Sequence, residues 1–195
     1  MNAAGAPAVL RFTLDTSCVI HAVSKEAYGP EVEELVRLCG QGAGELWLTT
    51  AFDEDQENAG EARRAANLRW INERPFKGRI GQPLRCDFSV LDGRSIVIDQ
   101  RTSDAVEAIE EILLSADFRR TSLSAGDSRI AERWRRRIKD VQHLGAHFFY
   151  RHDVFVTTDK DDMIKKRDKL RRQTGIVIEN PSEAVLRARN ALRQH

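Results

Sequence analysis

The sequence predicts an α/β fold, a mainly parallel sheet covered by helices on both faces. Three observations carry that expectation. Short β-rich runs alternate with helical patterns along the chain, which is the signature of a parallel sheet joined by helical crossovers. The chain has 195 residues and a mass of 22.1 kDa, enough to bury a proper core as one domain spanning 1–195. Its composition, 41% hydrophobic and 31% charged, is that of an ordinary globular protein, and no run approaches the roughly 18 apolar residues of a membrane helix.

Taken in order, "AVLRFTLD" (8–15) is a strand ending at Asp15, and "TSCVIHAV" turns into a helix. "PEVEELVRLCG" (30–40) is a helix opened by Pro30 and stopped by Gly40. "ELWLTT" (45–50) is a second strand. From Phe52 to about Trp70 one long helix is expected, with Phe52, Ala59, Ala62, Ala66 and Trp70 on a single face. "RPFKGRIGQP" (74–83) reads as a loop from its Pro and Gly content. "RCDFSVLDGRSIVID" reads as a hairpin around Asp92-Gly93. "SDAVEAIEEILL" (103–114) is an amphipathic helix capped by Ser103, and a long helical region follows from about Ser128 to Tyr150, with a break near Asp140. The chain closes with the strand "VFVTT", the charged helix "DDMIKKRDKLRRQ", the strand "IVIE" and a last helix. That helix is announced by "NPSE", with Asn180 as cap, Pro181 first and Glu183 completing a capping box.

Charge is unevenly spread. Residues 1–128 hold 14 Lys/Arg against 21 Asp/Glu, whereas residues 129–195 hold 17 against 9. Such a basic C-terminal third is either a solvated surface or a surface for a polyanion beside acidic groups with another task. Cys18, Cys39 and Cys86 are an odd number without close spacing, which fits neither a disulfide framework nor a zinc knuckle. Together with an N-terminus that lacks the pattern of a signal peptide, they lead to an expectation of a reducing cytoplasm.

The acids are the informative residues. Asp15 and Asp159 each follow a short apolar strand, and the two are 144 positions apart. In a parallel sheet those strand ends point the same way, toward the edge where sites form. In "TTAFDEDQ", a helical rotation of about 100° per residue puts Asp55 on the apolar face, with Asp53 and Glu54 turned aside. Asp140, in "RRRIKDVQHLGAHFF", lies at the edge of the stripe formed by Ile130, Trp134, Val141, Gly145 and Phe148. It reads either as a flank residue or as a fourth member of the group. Carboxylates that converge without a cation repel and cannot all stay ionised. Mg²⁺ or Mn²⁺ would resolve the conflict, because both favour hard oxygen ligands. Such ions also ease deprotonation of water and stabilise a leaving oxygen, which suits hydrolysis of a phosphodiester.

"LDTSCVIHA", "KDVQHLGAH" and "VFVTTDKDD", in that order, resemble a PIN-domain protein. The resemblance covers residues 8–70 and about 128–180. It implies a three-layer α/β/α sandwich, Mg²⁺- or Mn²⁺-dependent cleavage of RNA, and, as in toxins of the VapC kind, an antitoxin partner; a homodimer is implied in the same way. The acidic positions of the family fall on Asp15, Asp140 and Asp159, with Thr16 and Ser17 beside the first. The family's glutamate in the helix after the second strand corresponds to Asp55, or to Glu54 if the alignment shifts by one. Residues from about 74 to 125 depart from the family pattern and read as an inserted hairpin and helix.

Other features have plainer readings. His143 and His147 stand four apart but without the glutamate or cysteine of a zinc site, so core or edge histidines are expected. "RWRRRIK" (133–139) and "KKRDKLRR" (165–172) are solvated faces or phosphate contacts. Trp47, Trp70 and Trp134 are expected in the core, and Asp161 and Asp162 at a helix start. Two further functions compete with the ribonuclease: a PIN-like module that binds RNA or protein without catalysis, and a phosphatase of the haloacid dehalogenase type. The second wants an acid where Ser17 stands.

Overall fold

The computed structural model describes residues 9–57, 59–84, 95–114 and 128–194. Among the described residues, seven strands run in chain order as β1 (Arg11–Leu14), β2 (Glu45–Thr49), β3 (Phe76–Ile80), β4 (Gln82–Pro83), β5 (Ser95–Ile96), β6 (Val154–Val156) and β7 (Ile178–Glu179). The helices are α1 (Thr16–Ser24), α2 (Gly29–Gly40), α3 (Ala51–Glu57), α4 (Glu61–Asn72), α5 (Gln100–Leu113), α6 (Ser128–Phe149), α7 (Lys165–Thr174) and α8 (Pro181–Leu192). Five strands form one sheet in the order β3-β2-β1-β6-β7, and every pairing in it is parallel. Helices cover both of its faces, so the chain is a three-layer α/β/α sandwich.

The alternation of side chains along the strands explains the two layers of core. Phe12 and Leu14 of β1, Leu46 and Leu48 of β2, and Val154 and Val156 of β6 join α1, α2, α4 and α8 in one buried cluster. Phe155 and Ile178 point the other way and pack with α5, α6 and α7 through Ile109, Leu144 and Leu170. On that second face β1 and β2 present threonines instead of aliphatics. Thr49 is 2.6 Å from Nδ1 of His143 and Thr13 is 2.9 Å from Nδ1 of His147. The two histidines, one helical turn apart on α6, therefore clamp neighbouring strands as buried, hydrogen-bonded core groups.

Several local expectations need correction. The single helix expected from Phe52 to Trp70 is two helices. Gly60, with φ −59° and ψ 147°, is extended and caps α4, and α4 buries Asn67, Trp70 and Ile71 while Ala62 and Ala66 face solvent. The expected loop 74–83 contains β3, an edge strand with a bulge where Trp47 pairs with Gly78 directly after Leu46 pairs with Phe76; glycine is tolerated at such bulges. The turn expected at Asp92-Gly93 lies outside the described residues, and β5 pairs with β4 in parallel. The cap of α5 is Asp99, whose side chain accepts from the Thr102 amide, and not Ser103. No break occurs near Asp140, because α6 runs continuously for 22 residues. The capping box at Asn180 and Glu183 is complete in both directions. Trp70 is buried while Trp47 and Trp134 are partly buried.

Candidate active site

The register of the sheet builds the site. Leu14 pairs with Val156, so Asp15 comes level with Thr157 at the carboxyl edge, and its amide donates to the Val156 carbonyl at 2.9 Å. Asp15 is buried at 7% exposure. Its Oδ2 accepts from Ser17 Oγ at 2.6 Å and from Thr157 Oγ1 at 2.7 Å. The Thr157 hydroxyl also accepts from the Asp159 amide at 3.1 Å, and Ser17 Oγ accepts from the Thr158 amide at 3.2 Å. These four bonds tie the loops after β1 and β6 into one rigid unit. Asp159 then starts a π-helical turn over Lys160–Ile164, its Oδ1 accepting from the amides of Asp161 and Asp162, each at 3.0 Å. π-Turns of this kind recur at functional sites.

Asp140 comes from the opposite side, on α6, and is partly buried. Burial pushes its carboxyl well above the ordinary aspartate range, and the charges of Asp15, Asp159 and Asp162 push the same way, while His143 pulls against them. Asp15, Asp140 and Asp159 therefore share one electrostatic neighbourhood. No hydrogen bond or ion pair ties the Asp140 carboxylate to another described residue, and Asp15 Oδ1 and Asp159 Oδ2 have no partner among the described residues.

Asp55 is placed differently. Of the three consecutive acids Asp53, Glu54 and Asp55 on α3 it is the one that reaches α1 and α6, since Asp53 pairs with Arg79 at 2.7 Å and Glu54 accepts from the Gln82 side chain. Both Asp55 oxygens are engaged. Oδ1 accepts from Lys139 Nζ at 2.6 Å and Oδ2 from Thr16 Oγ1 at 2.7 Å, with His143 Nε2 3.5 Å away. Burial alone would raise the Asp55 carboxyl, but the bonds and charges of His143 and Lys139 outweigh it and lower the pKa to about 2. His143 shifts reciprocally: burial works against its charged form, yet the bond to Asp55 and the charges of Asp15, Asp55 and Asp140 leave its pKa raised.

Asp162 has its own counter-ions. Arg137 lies 2.5 Å and Lys166 3.3 Å from its Oδ1, and both cations also donate to the Leu113 carbonyl. The end of α5 thus anchors the positive charges that flank the site. Three participants carried little sequence signal. Thr157 is one of two threonines in a row, Lys139 is one of several cations in "RWRRRIK", and Asp162 follows an equally acidic Asp161.

Among the described residues, no three His, Cys, Asp or Glu side chains already stand in a ready-made ion cage; a cation would have to draw the carboxylates together. The donor chemistry still suits a hard divalent ion, being all oxygen, on three residues that share one electrostatic neighbourhood. Neither models of known families nor curated proteins match the chain. No described helix is long and apolar enough to cross a membrane.

Proposed function

We propose that this chain is a Mg²⁺- or Mn²⁺-dependent endoribonuclease that hydrolyses RNA phosphodiester bonds at the carboxyl edge of its sheet, as its resemblance to PIN domains implies. The carrying observation is that, among the described residues, Asp15 and Asp159 each have one carboxylate oxygen fixed by hydrogen bonds and one without a partner, while Asp140, whose carboxyl feels the charge of both, has neither oxygen engaged. Asp15, Asp140 and Asp159 would hold the ion. When bound, a divalent cation supplies electrophilic charge and makes a nucleophile available at neutral pH.

The remaining work falls to the chain itself. Ser17 and Thr157 hold one oxygen of Asp15, and the Asp161 and Asp162 amides hold one oxygen of Asp159. Lys139, held by Asp55, places an ammonium next in the chain to Asp140. The exposed cations Lys169, Arg171 and Arg172 lie on α7, which leaves the site after the π-turn. They offer the sequence-independent attraction that an RNA backbone needs.

Cleavage of total RNA with Mn²⁺, with chelator, and by Asp15→Asn tests the proposal. Wild type should cut only with the metal, and the variant should lose at least roughly a hundredfold of rate while its circular dichroism is unchanged. A folded wild type that binds RNA but never cuts it would favour the non-catalytic module.

A further inference from the structure

A lysine inside an acid pocket is the feature that a metal site of four aspartates leaves unexplained. Lys139 Nζ sits 2.6 Å from Asp55 Oδ1, with the two side chains only 16% and 24% exposed. Thr16 occupies the other Asp55 oxygen and His143 adjoins it. Asp55 is therefore the one candidate ligand with both oxygens committed. Charge compensation divides the pocket in the same way: Lys139 offsets Asp55, and Arg137 with Lys166 offsets Asp162. Among the described residues, Asp15, Asp140 and Asp159 have no lysine or arginine partner, and His143 is the one cationic group that acts on Asp140. One divalent ion brings these three charges close to balance. A second would have to displace Lys139 from Asp55 or sit beside its ammonium, and like charges at such separations cost several kT.

We propose that Lys139 is the built-in second cation of this site: it withholds Asp55 from metal binding, so the pocket takes one divalent ion where four free aspartates would take two. The inference rests on the metal-site reading above and specifies its stoichiometry. With substrate bound, Lys139 would supply, as a permanent charge, the stabilisation that a second ion gives elsewhere.

Calorimetric titration of the full chain with MnCl₂, checked by electron paramagnetic counting of bound Mn²⁺, decides the matter without any activity assay. Wild type should bind one equivalent, Lys139→Met two, and Asp55→Asn/Lys139→Met one again. Asp55→Asn alone should keep its single ion, and it decides the question if Lys139→Met does not fold. Two ions in wild type, one in a folded Lys139→Met, or loss of binding in Asp55→Asn would each overturn this inference and leave the nuclease reading standing. A folded wild type that binds no Mn²⁺ would overturn both.

Discussion

Asp140→Asn should make the metal-free protein more stable. The substitution keeps the shape of the side chain and removes a charge that burial and three neighbouring aspartates oppose. An acid whose pKa is raised in the folded state costs nothing below its unfolded value, about 3.9, and destabilises the fold as pH climbs from there toward the raised value. Each unit of that gap is worth about 1.4 kcal/mol. One unit alone should lift the melting temperature at pH 7 by about 3–5 °C for a domain of this size. Thermal melts in chelator between pH 3 and pH 8 should therefore show the two proteins level near pH 3 and the variant ahead at neutral pH. Added Mn²⁺ should reverse the order, because only wild type gains about 2.7 kcal/mol at a hundred times the dissociation constant. A variant that melts lower than wild type at pH 7 in chelator, or a difference independent of pH, would refute the reasoning.

Other consequences are equally direct. Asp55 shows the opposite sign: with a folded pKa of about 2, its contribution is full above the unfolded value of about 3.9 and fades as pH falls through 2. Asp55→Asn should thus cost roughly 2 kcal/mol at pH 7 in urea melts, with the deficit shrinking toward pH 2. Gly145→Ala should destabilise by about 1–3 kcal/mol, because a Cβ there would lie 2.8 Å from Pro83 Cγ and 2.9 Å from Val106 Cγ2. His147, buried and lowered to about 3 chiefly by burial, stays neutral in the fold. Acidification below the unfolded value of about 6.5 should favour unfolding through it, and His147→Gln should blunt that loss in pH-jump melts.

The parts of this fold that were legible in the sequence are those governed by local rules. Strand and helix alternation, the Pro30 start and the Asn180 capping box depend on residues within a few positions, and they appear as expected. What was hidden depends on distant partners. Strand β3 exists because Leu46 to Thr49 offer a parallel edge to a Gly-rich segment, and no pattern within residues 74–83 announces that edge. The break at Gly60 sets a single glycine's extended backbone against a run of good helix formers, a contest that periodicity alone does not decide. In the site, strand ends placed Asp15 and Asp159 by topology. A helical wheel selected Asp55 among three acids on a face that the structure then interrupts at Gly60. The wheel could not show Lys139, which reaches Asp55 across 84 positions, because an ion pair between two helices leaves no periodic trace in either.

The most direct test of the central claim is the anomalous difference map of a crystal soaked in Mn²⁺ at neutral pH. The account predicts a single strong peak bounded by carboxylate oxygens of Asp15, Asp140 and Asp159, with Asp55 still held by Lys139. A well-ordered pocket with no peak, or a peak elsewhere on the chain, would contradict it.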